Sequence, residues 1–275
     1  MPDRYAVIGH PIEHSRSPDI HRLFAEQCEQ SMTYTRLPAP PDAFEAVAGA
    51  FFAGGGRGLN VTLPFKQAAA AFADRLTERA ARAGAVNTLA TTDQGLVGDN
   101  TDGAGLVADL TGHLGVAVAD QHILILGAGG AVRGVVPSLL AAGAARITIA
   151  NRSPDKAETI ATACRSMGQV TACALDAAPQ DADLVINAIS AGLSGTMPAL
   201  DASLLSQAVA AYDMIYADQA TPFMHWAEQA GVAQVRDGFG MLVEQAAESF
   251  QLWRGLRPET GPVIAALRPG TRAHA

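Results

Sequence analysis

The stretch from His122 to Lys156 limits the possible folds of this chain more than any other part of the sequence. It opens with an apolar run, His122–Leu126, which has the length and composition of a buried strand. A glycine turn over residues 127–130 leads into a helix of small residues to about Gly143, and residues 147–150 form a second apolar run. Strand, glycine turn, helix and strand in this order make the βαβ unit that holds a dinucleotide. The sequence therefore predicts an α/β fold that contains such a unit.

The glycine turn departs from the usual dinucleotide fingerprint, since Val132 stands where a third glycine is common. Its physical role is kept, because small residues let the backbone approach a pyrophosphate and the helix N-terminus directs N–H groups at it. The alternative is an ordinary tight turn, but the strand before it and the helix after it favour the nucleotide site. The predicted pyrophosphate-binding residues are Gly127, Ala128, Gly129, Gly130 and Ala131.

The end of the second strand indicates which dinucleotide binds. An NAD site usually carries Asp or Glu here to accept hydrogen bonds from the adenosine ribose, whereas this chain has Asn151, Arg152 and Ser153. Arg152 can pair with a 2′-phosphate, Ser153 can donate to it, and Lys156 adds positive charge one helical turn further on. These residues predict NADP(H) rather than NAD. Ser153 followed by Pro154 also fits a helix N-cap, and the two interpretations are compatible.

Length, charge and cysteine content limit the class of protein. A chain of 275 residues suits two domains better than one simple core. The formal net charge of −8 argues against nucleic acid or an anionic membrane as the main partner. Three scattered cysteines fit reduced thiols in the cytoplasm, and seven dispersed histidines show no metal-ligand spacing. We therefore expect a cytoplasmic protein with no metal, no signal peptide and no membrane span.

A loop after the first predicted strand carries two serines. Ser17-Pro18 predicts a helix start, with Ser17 as the N-cap and Pro18 in the first turn. Ser15 and Ser17 beside backbone N–H groups at a helix N-terminus could also hold a carboxylate. For this segment alone, the cap is the preferred interpretation.

Polar residues also follow a predicted strand over residues 58–61. Thr62 and Lys66 come where that strand ends, which is the usual place for ligand groups in an open α/β sheet. A lone lysine is more often a surface charge, and Asp102, at the start of a later helix, fits a simple cap. Between them the sequence predicts one helix that continues through Glu78 to Arg82.

Taken in order, the polar motifs resemble those of the shikimate dehydrogenases. The motifs are HSRSP, NVTLPFK, GAVNTL, GDNTDG, GAGGA, NRS, YDMIY and DGFGMLVEQA. They run from Tyr5 to about Leu267, nearly the whole chain, and NVTLPFK and GDNTDG are too long to expect by chance.

The resemblance implies both an architecture and an activity. The family reduces 3-dehydroshikimate to shikimate with NADPH, reversibly, in the biosynthesis of chorismate and the aromatic amino acids. The implied architecture is an N-terminal α/β substrate domain over residues 1–102, completed by C-terminal helices over residues 239–275, and a Rossmann-type NADP-binding domain over residues 103–238. The active site would lie in the cleft between the two domains. We expect a monomer or a homodimer.

The resemblance also assigns roles to residues of this chain. Lys66 and Asp102 take the positions of the family's catalytic pair. Positions that contact substrate fall on Ser15, Ser17, Thr62, Asn87, Tyr216 and Gln245, with Asn60 adjacent. Beyond the glycine turn, cofactor positions fall on Asn151, Arg152, Ser153, Lys156, Met214, Gly238, Met241 and, in some members, Glu78. Ile189 replaces a usual threonine, which removes a polar group from the nicotinamide side.

These residue types fit hydride chemistry. Hydride arriving at a ketone carbon leaves negative charge on the oxygen, which a protonated Lys66 can stabilise and then neutralise. Asp102 nearby would favour the charged lysine. Two alternatives stay open: a related enzyme that acts on quinate or uses NAD, and a catalytically silent sensor that binds shikimate or a dinucleotide. Arg152 and Ser153 argue against NAD, and the filled catalytic positions argue against the sensor.

Overall fold

The computed structural model describes residues 1–189 and 197–268. The sequence also predicts a polar strand end over residues 187–192 and a polar tail over residues 268–275, and both lie partly outside the described ranges. The chain divides into two compact units. The first unit comprises Met1–Gly105 and Val243–Leu267, and the second comprises Leu106–Leu242 with the segment from Arg268. The assignment of the substrate domain to residues 1–102 and 239–275 stays a prediction.

The first unit holds a six-stranded mixed sheet. Its elements up to the unit boundary are β1 (Asp3–Gly9), α1 (Ser17–Gln27), β2 (Met32–Pro38), α2 (Phe44–Ala53), β3 (Gly56–Val61), α3 (Lys66–Phe72), β4 (Arg75–Leu76), α4 (Glu78–Ala83), β5 (Thr88–Thr92), β6 (Gly95–Asp99) and α5 (Asp102–Ala108). The strand order is β2-β1-β3-β5-β6-β4. Strands β1, β2 and β3 pair in parallel, while β5 runs antiparallel to β3 and β6.

Parallel pairing decides where the functional groups of the first unit can meet. Residues 5–8 of β1 are all buried, as expected for a central strand covered on both faces. Val7 of β1 is in register with Arg36 of β2 and with Asn60 of β3. The carboxyl ends of all three strands therefore lie at one edge of the sheet, which is where ligands bind in open α/β folds.

The second unit is a doubly wound parallel sheet. Its elements, with the two helices that complete the described chain, are a π-helical turn (Asp109–His113), β7 (His122–Leu126), α6 (Gly130–Ala141), β8 (Arg146–Asn151), α7 (Pro154–Cys164), β9 (Val170–Ala174), β10 (Leu184–Asn187), β11 (Ala210–Asp213), α8 (Pro222–Gln229), β12 (Gln234–Arg236), α9 (Phe239–Arg254) and α10 (Thr260–Leu267). The strand order is β12-β11-β10-β7-β8-β9, and every pair is parallel. The predicted α/β class with a Rossmann-type sheet is confirmed.

Successive side chains of β7 point to opposite faces of the sheet, and each face packs against an apolar cluster. Ile123 and Ile125 belong to the cluster on one face, and Leu124 and Leu126 belong to the cluster on the other. The strand order reverses between β7 and β10. In folds of this type the ligand crevice lies at that reversal, beyond the carboxyl ends of the strands.

Two local predictions are wrong. The helix expected to continue through Glu78 is interrupted by β4, because Asp74 pairs with Leu96: its backbone N–H donates to the Leu96 carbonyl at 2.9 Å, and its carboxylate accepts from the Leu96 N–H at 2.7 Å. Ser17 is not the N-cap of α1, since Arg16 takes that position and Ser17 is the first helical residue. The first error arises because long-range strand pairing interrupts the helix. The second is a shift of the helix start by one residue.

Candidate active site

A lysine–aspartate pair stands at the start of two helices in the first unit. Lys66 opens α3, Asp102 opens α5, and the Lys66 ammonium donates a hydrogen bond to Asp102 Oδ2. The two side chains are 19% and 8% exposed. A ligand can thus reach the lysine, while the aspartate is shielded from water and strengthens the attraction between the charges.

Three hydrogen bonds orient the aspartate. Asn87 Nδ2 donates to Asp102 Oδ1 at 2.8 Å, so both carboxylate oxygens are engaged. The Asp102 backbone N–H donates to Asn100 Oδ1 at 3.2 Å, and Asn100 Nδ2 donates to the Ala85 carbonyl at 3.0 Å. The carboxylate is therefore held in one orientation toward Lys66.

An amide and hydroxyl cluster surrounds the pair. Asn87 Nδ2 lies 2.9 Å from Thr101 Oγ1 and 3.2 Å from Gln245 Oε1. Gln245 can approach because a Cβ at Gly105 would lie 2.7 Å from both its Cβ and its backbone nitrogen. Gly105 thus permits the contact between α5 and α9 that brings Gln245 beside Asn87 and Thr101.

Asn60 lies beneath this cluster and uses its hydrogen-bonding groups inside the protein. Its Nδ2 donates to Ser249 Oγ at 2.9 Å and to Thr88 Oγ1 at 3.2 Å. Its Oδ1 accepts from Tyr34 Oη at 2.7 Å and lies 3.2 Å from His21 Nε2. Asn60 is only 5% exposed, so these contacts favour a supporting role for it over the predicted contact with substrate.

The serine loop is fixed from both sides. Ser15 Oγ accepts from the Ser17 backbone N–H at 3.3 Å. Arg36 donates to the Ser15 carbonyl twice, from Nε at 3.1 Å and from Nη2 at 2.6 Å. Thr62 lies half-buried at the neighbouring strand end, where its N–H donates to the Ile8 carbonyl at 3.0 Å. The strand ends therefore bring Ser15, Ser17 and Thr62 to one edge of the sheet.

Sequence reasoning missed an ion pair that supports the same edge. Arg79 donates to both oxygens of Asp99, which is 2% exposed. Burial alone would raise the pKa of Asp99, but the Arg79 guanidinium and the Thr77 hydroxyl outweigh it and hold that pKa below its usual value. Asp99 also accepts from the Asn100 N–H at 2.8 Å. Arg79 thus anchors the segment that ends in Asp102.

The missed residues left only weak signals. Ser249 lies one helical turn after Gln245 on α9, and Thr101 lies inside GDNTDG, so both could have been suspected from spacing. Arg36 and Arg79 carry no motif, and their partners become visible only when the strands are placed side by side.

In the second unit, the glycine turn has the geometry of an anion site. Gly127 has φ +111°, and a Cβ there would lie 2.9 Å from the Ala188 carbonyl oxygen. Gly129 and Gly130 are exposed, with open space where a Cβ would stand. Gly129 is the N-cap of α6 without a side-chain cap, so the helix start is open to a ligand. Val132, which departs from the fingerprint, is fully buried in the core and packs α6 on the sheet.

The end of β8 presents a polar, positively charged segment. Arg152, Ser153 and Lys156 are exposed, and neither cation has an ion-pair partner among the described residues. Ser153 takes the N-cap position of α7, but its hydroxyl makes no cap hydrogen bond. Asn151 instead stabilises the turn, since its Nδ2 donates to the Ser153 carbonyl at 2.9 Å. The Ser153 hydroxyl and both cations are therefore available to a phosphate.

The remaining predicted cofactor residues of the second unit lie near the ends of β10 and β11. The Met214 N–H donates to the Asn187 carbonyl at 2.9 Å, and a Cβ at Gly238 would lie 2.4 Å from the Met214 carbonyl oxygen. Met241 is 8% exposed and belongs to the core cluster of the second unit against which Met214 packs. Ile189 keeps one polar contact despite its apolar side chain, because its N–H donates to Asn187 Oδ1 at 3.2 Å.

A buried carboxylate stands at the end of β11. Burial raises the pKa of Asp213, although hydrogen bonds from Thr221, Ile215 and Asn187 act against it. These bonds close the strand ends around Asp213, which is 1% exposed.

Two predicted residues have their own structural environments. Tyr216 is half-buried and packs edge-on against the Phe239 ring, with centroids 5.9 Å apart. Glu78 is exposed in the first turn of α4 and forms an ion pair with Arg82. A carboxylate at that position stabilises the helix start, which explains Glu78 without a cofactor.

Across residues 1–189 and 197–268, no helix is long and apolar enough to cross a bilayer. Within the same ranges, no group of three His, Cys, Asp or Glu side chains is arranged to hold a metal ion.

Three family descriptions match the chain in sequence. Residues 7–89 match the shikimate dehydrogenase substrate binding domain, and residues 110–223 match shikimate / quinate 5-dehydrogenase. Residues 238–268 match the shikimate 5′-dehydrogenase C-terminal domain.

Individual relatives cover nearly the whole chain. A protein of Alkalilimnicola ehrlichii named shikimate dehydrogenase (NADP(+)) is 54% identical over 269 residues, which are 98% of this chain and 100% of the relative. The crystal structure of an Ael1 enzyme from Pseudomonas putida is 43% identical and has a TM-score of 0.93. The match covers 98% of this chain and 100% of that chain. Shikimate 5-dehydrogenase from Thermus thermophilus, in complex with NADP(H) and shikimate, is 34% identical with a TM-score of 0.85, over 96% of this chain and 98% of that one. The chain therefore belongs to the shikimate dehydrogenase (NADP+) family.

Proposed function

We propose that this protein catalyses the reversible, NADPH-dependent reduction of 3-dehydroshikimate to shikimate. The observation that carries the proposal is the partly exposed Lys66 held on the shielded Asp102, with Asn87 and Gln245 beside them. The choice of substrate and cofactor is based on the activity for which the relatives are named.

Lys66 acts as the general acid in the reductive direction. NADPH, when bound, supplies the hydride that reaches the ketone carbon. The Lys66 ammonium stabilises the negative charge that develops on the carbonyl oxygen and donates the proton. Asp102 holds the Lys66 ammonium in place through a direct hydrogen bond. In the oxidative direction, Lys66 first gives its proton to solvent, to which 19% of its side chain is exposed. The neutral amine then accepts the proton of the substrate hydroxyl, and the hydride leaves the same carbon for NADP+.

Substrate recognition divides between an anion site and a hydroxyl site. We assign the carboxylate to the hydroxyls of Ser15 and Ser17, and the ring hydroxyls to Thr62, Asn87 and Gln245. A site built from such hydrogen bonds strongly rejects molecules that lack a partner group, because its own polar groups are then left unpaired. Asn60 supports these residues from beneath rather than touching substrate.

The residues present fit NADP(H). The open start of α6 at Gly129 and Gly130 suits a pyrophosphate, and Arg152, Ser153 and Lys156 suit a 2′-phosphate. Met214, Gly238 and Met241 are assigned to the nicotinamide side. Glu78 is left out of this set because its ion pair with Arg82 accounts for it.

The direct test is the loss of NADPH absorbance with 3-dehydroshikimate, run beside NADH and, in reverse, with shikimate beside quinate. We expect turnover confined to NADPH and the shikimate pair. Comparable rates with NADH or quinate would make the protein a broader quinate/shikimate dehydrogenase. Dinucleotide binding without any turnover would favour the sensor and overturn the proposal. Biosynthesis of chorismate in the cytoplasm is the setting we infer for this activity.

A further inference from the structure

Arg36 of β2 holds the serine loop of the proposed carboxylate site. It donates two hydrogen bonds to the Ser15 carbonyl, from Nε at 3.1 Å and from Nη2 at 2.6 Å. Arg36 is thus placed to orient Ser15.

Arg36 brings a charge that the rest of this site lacks. The serines offer hydroxyl dipoles, and Lys66 is neutralised by Asp102. The third guanidinium nitrogen of Arg36, Nη1, has no partner among the residues that the structure describes, and the side chain is exposed. A positive charge held at the backbone of Ser15 attracts an anion at the Ser15 hydroxyl.

The other charged groups of the loop are directed elsewhere. Arg16 donates to the Leu267 carbonyl at the end of α10, at 3.2 Å, and lies 3.8 Å from Asp19. The Glu13 carboxylate accepts from the Ile12 N–H at 3.0 Å. Arg36, on β2, is therefore the exposed cation that is hydrogen-bonded directly to the Ser15 backbone, in a protein whose net charge of −8 repels anions.

We propose that Arg36 is a specificity-determining residue that selects substrates with a carboxylate. This inference rests on the proposed function, because the carboxylate that Arg36 attracts is that of shikimate. Arg36 orients Ser15 through the carbonyl and adds a charge that lowers KM for the acid, without taking part in the proton or hydride steps.

The test compares shikimate with its methyl ester in wild type, Arg36→Ala and Arg36→Lys. The ester keeps the ring hydroxyls and loses the charge. We expect Arg36→Ala to raise KM for shikimate about fivefold, as one partly exposed charge pair allows, with kcat within about twofold. KM for the ester should stay near its wild-type value. Arg36→Lys keeps the charge and should recover more than half of the loss in KM.

Salt dependence gives a second measurement. Wild-type kcat/KM for shikimate should fall between low and high ionic strength, and Arg36→Ala should flatten this dependence. Arg22→Ala is the matched control, because Arg22 is an exposed cation of α1 whose partner is Glu26. It removes the same charge from the protein and should leave KM for shikimate unchanged.

Each other result overturns the inference. An equal rise in KM for acid and ester, or failure of Arg36→Lys to recover, would show that Arg36 only holds the loop in place. An unchanged KM in Arg36→Ala would remove any role. Absence of shikimate turnover in the wild type would instead overturn the proposed function, so the two failures are distinguishable.

Discussion

Arg79 holds Asp99 through two parallel hydrogen bonds, from Nε to Oδ1 at 2.7 Å and from Nη2 to Oδ2 at 2.5 Å. Asp99 is the last residue of β6, three positions before Asp102. The same guanidinium donates to Glu248 on α9 at 3.0 Å. One side chain thus ties the end of a strand, the segment that carries Asp102, and a helix more than a hundred residues away in sequence.

The first prediction follows from this ion pair. Arg79→Ala leaves the Asp99 carboxylate, 2% exposed, without its counter-charge, and should lower the free energy of unfolding by about 3 kcal/mol. Urea denaturation measures the loss. The control is Arg82→Ala, which removes an exposed pair with Glu78 on the same helix and should lower it by about 0.5 kcal/mol or less. Equal effects of the two variants would contradict the anchoring role of Arg79.

The second prediction concerns Lys66. Lys66→Ala removes the proposed proton donor and should lower kcat by about a thousandfold, with a much smaller change in KM. Steady-state kinetics in both directions measure this, and fluorescence titration with NADPH should show unchanged cofactor binding. A variant with near-normal kcat would remove Lys66 from the mechanism.

The third prediction concerns cofactor choice. Arg152→Ala should raise KM for NADPH by about tenfold or more, because a charge-assisted pair with the 2′-phosphate is lost. KM for NADH should change little. Arg165→Ala, at the far end of α7 and paired with Glu158, is the control. If the wild type used NAD and NADP equally well, the assignment of this segment to the 2′-phosphate would be wrong.

The fourth prediction concerns stability against pH. Burial lowers the pKa of His21 from 6.5 to about 3, against the opposing effect of its hydrogen bond with Asn60. Between those two pH values the unfolded chain binds a proton that the folded protein does not, so stability falls as the pH falls. The contribution of His21 should change by up to about 1.4 kcal/mol per pH unit.

His21→Phe separates this contribution from other acid effects. Phenylalanine can keep the stacking on Tyr34, whose ring lies 4.2 Å away between centroids, and it does not titrate. The difference in unfolding free energy between wild type and variant, measured from pH 7 to pH 4, should shift against the wild type as the pH falls. A difference independent of pH would show that His21 binds its proton equally well in the folded and the unfolded protein, so that burial does not lower its pKa.

Local patterns predicted most of the fold. The apolar run of β7 and the glycine turn after it are legible because strand and turn depend on neighbouring residues. The break between α3 and α4 could not be predicted in this way, because the alanine-rich segment after Lys66 favours a helix by propensity. The pairing of Asp74 with Leu96 overrides that propensity. The error at Ser17 is a shift of one residue: Arg16 takes the N-cap position of α1 and makes no side-chain cap hydrogen bond.

The candidate site divides in the same way. Lys66, Asp102 and Asn87 were proposed from motifs, and the structure brings them into contact. The roles of Asn60 and Arg36 depend on which strands lie side by side. Val7 is in register with both, a relation set by pairing in space rather than by spacing along the chain.

The hydrogen bond between Asn60 and Ser249 joins residues 189 positions apart, and this has a consequence for the order of events during synthesis. The second unit is nearly continuous, over residues 106–242, and can collapse as soon as it has left the ribosome. The first unit cannot, since the helix segment that satisfies Asn60 and Thr88 is translated later. The sheet of the first unit is therefore incomplete until residues 243–267 emerge, and Asn60 and Thr88 stay hydrated until then. The N-terminal segment, Met1–Gly105, is thus made first and completed last.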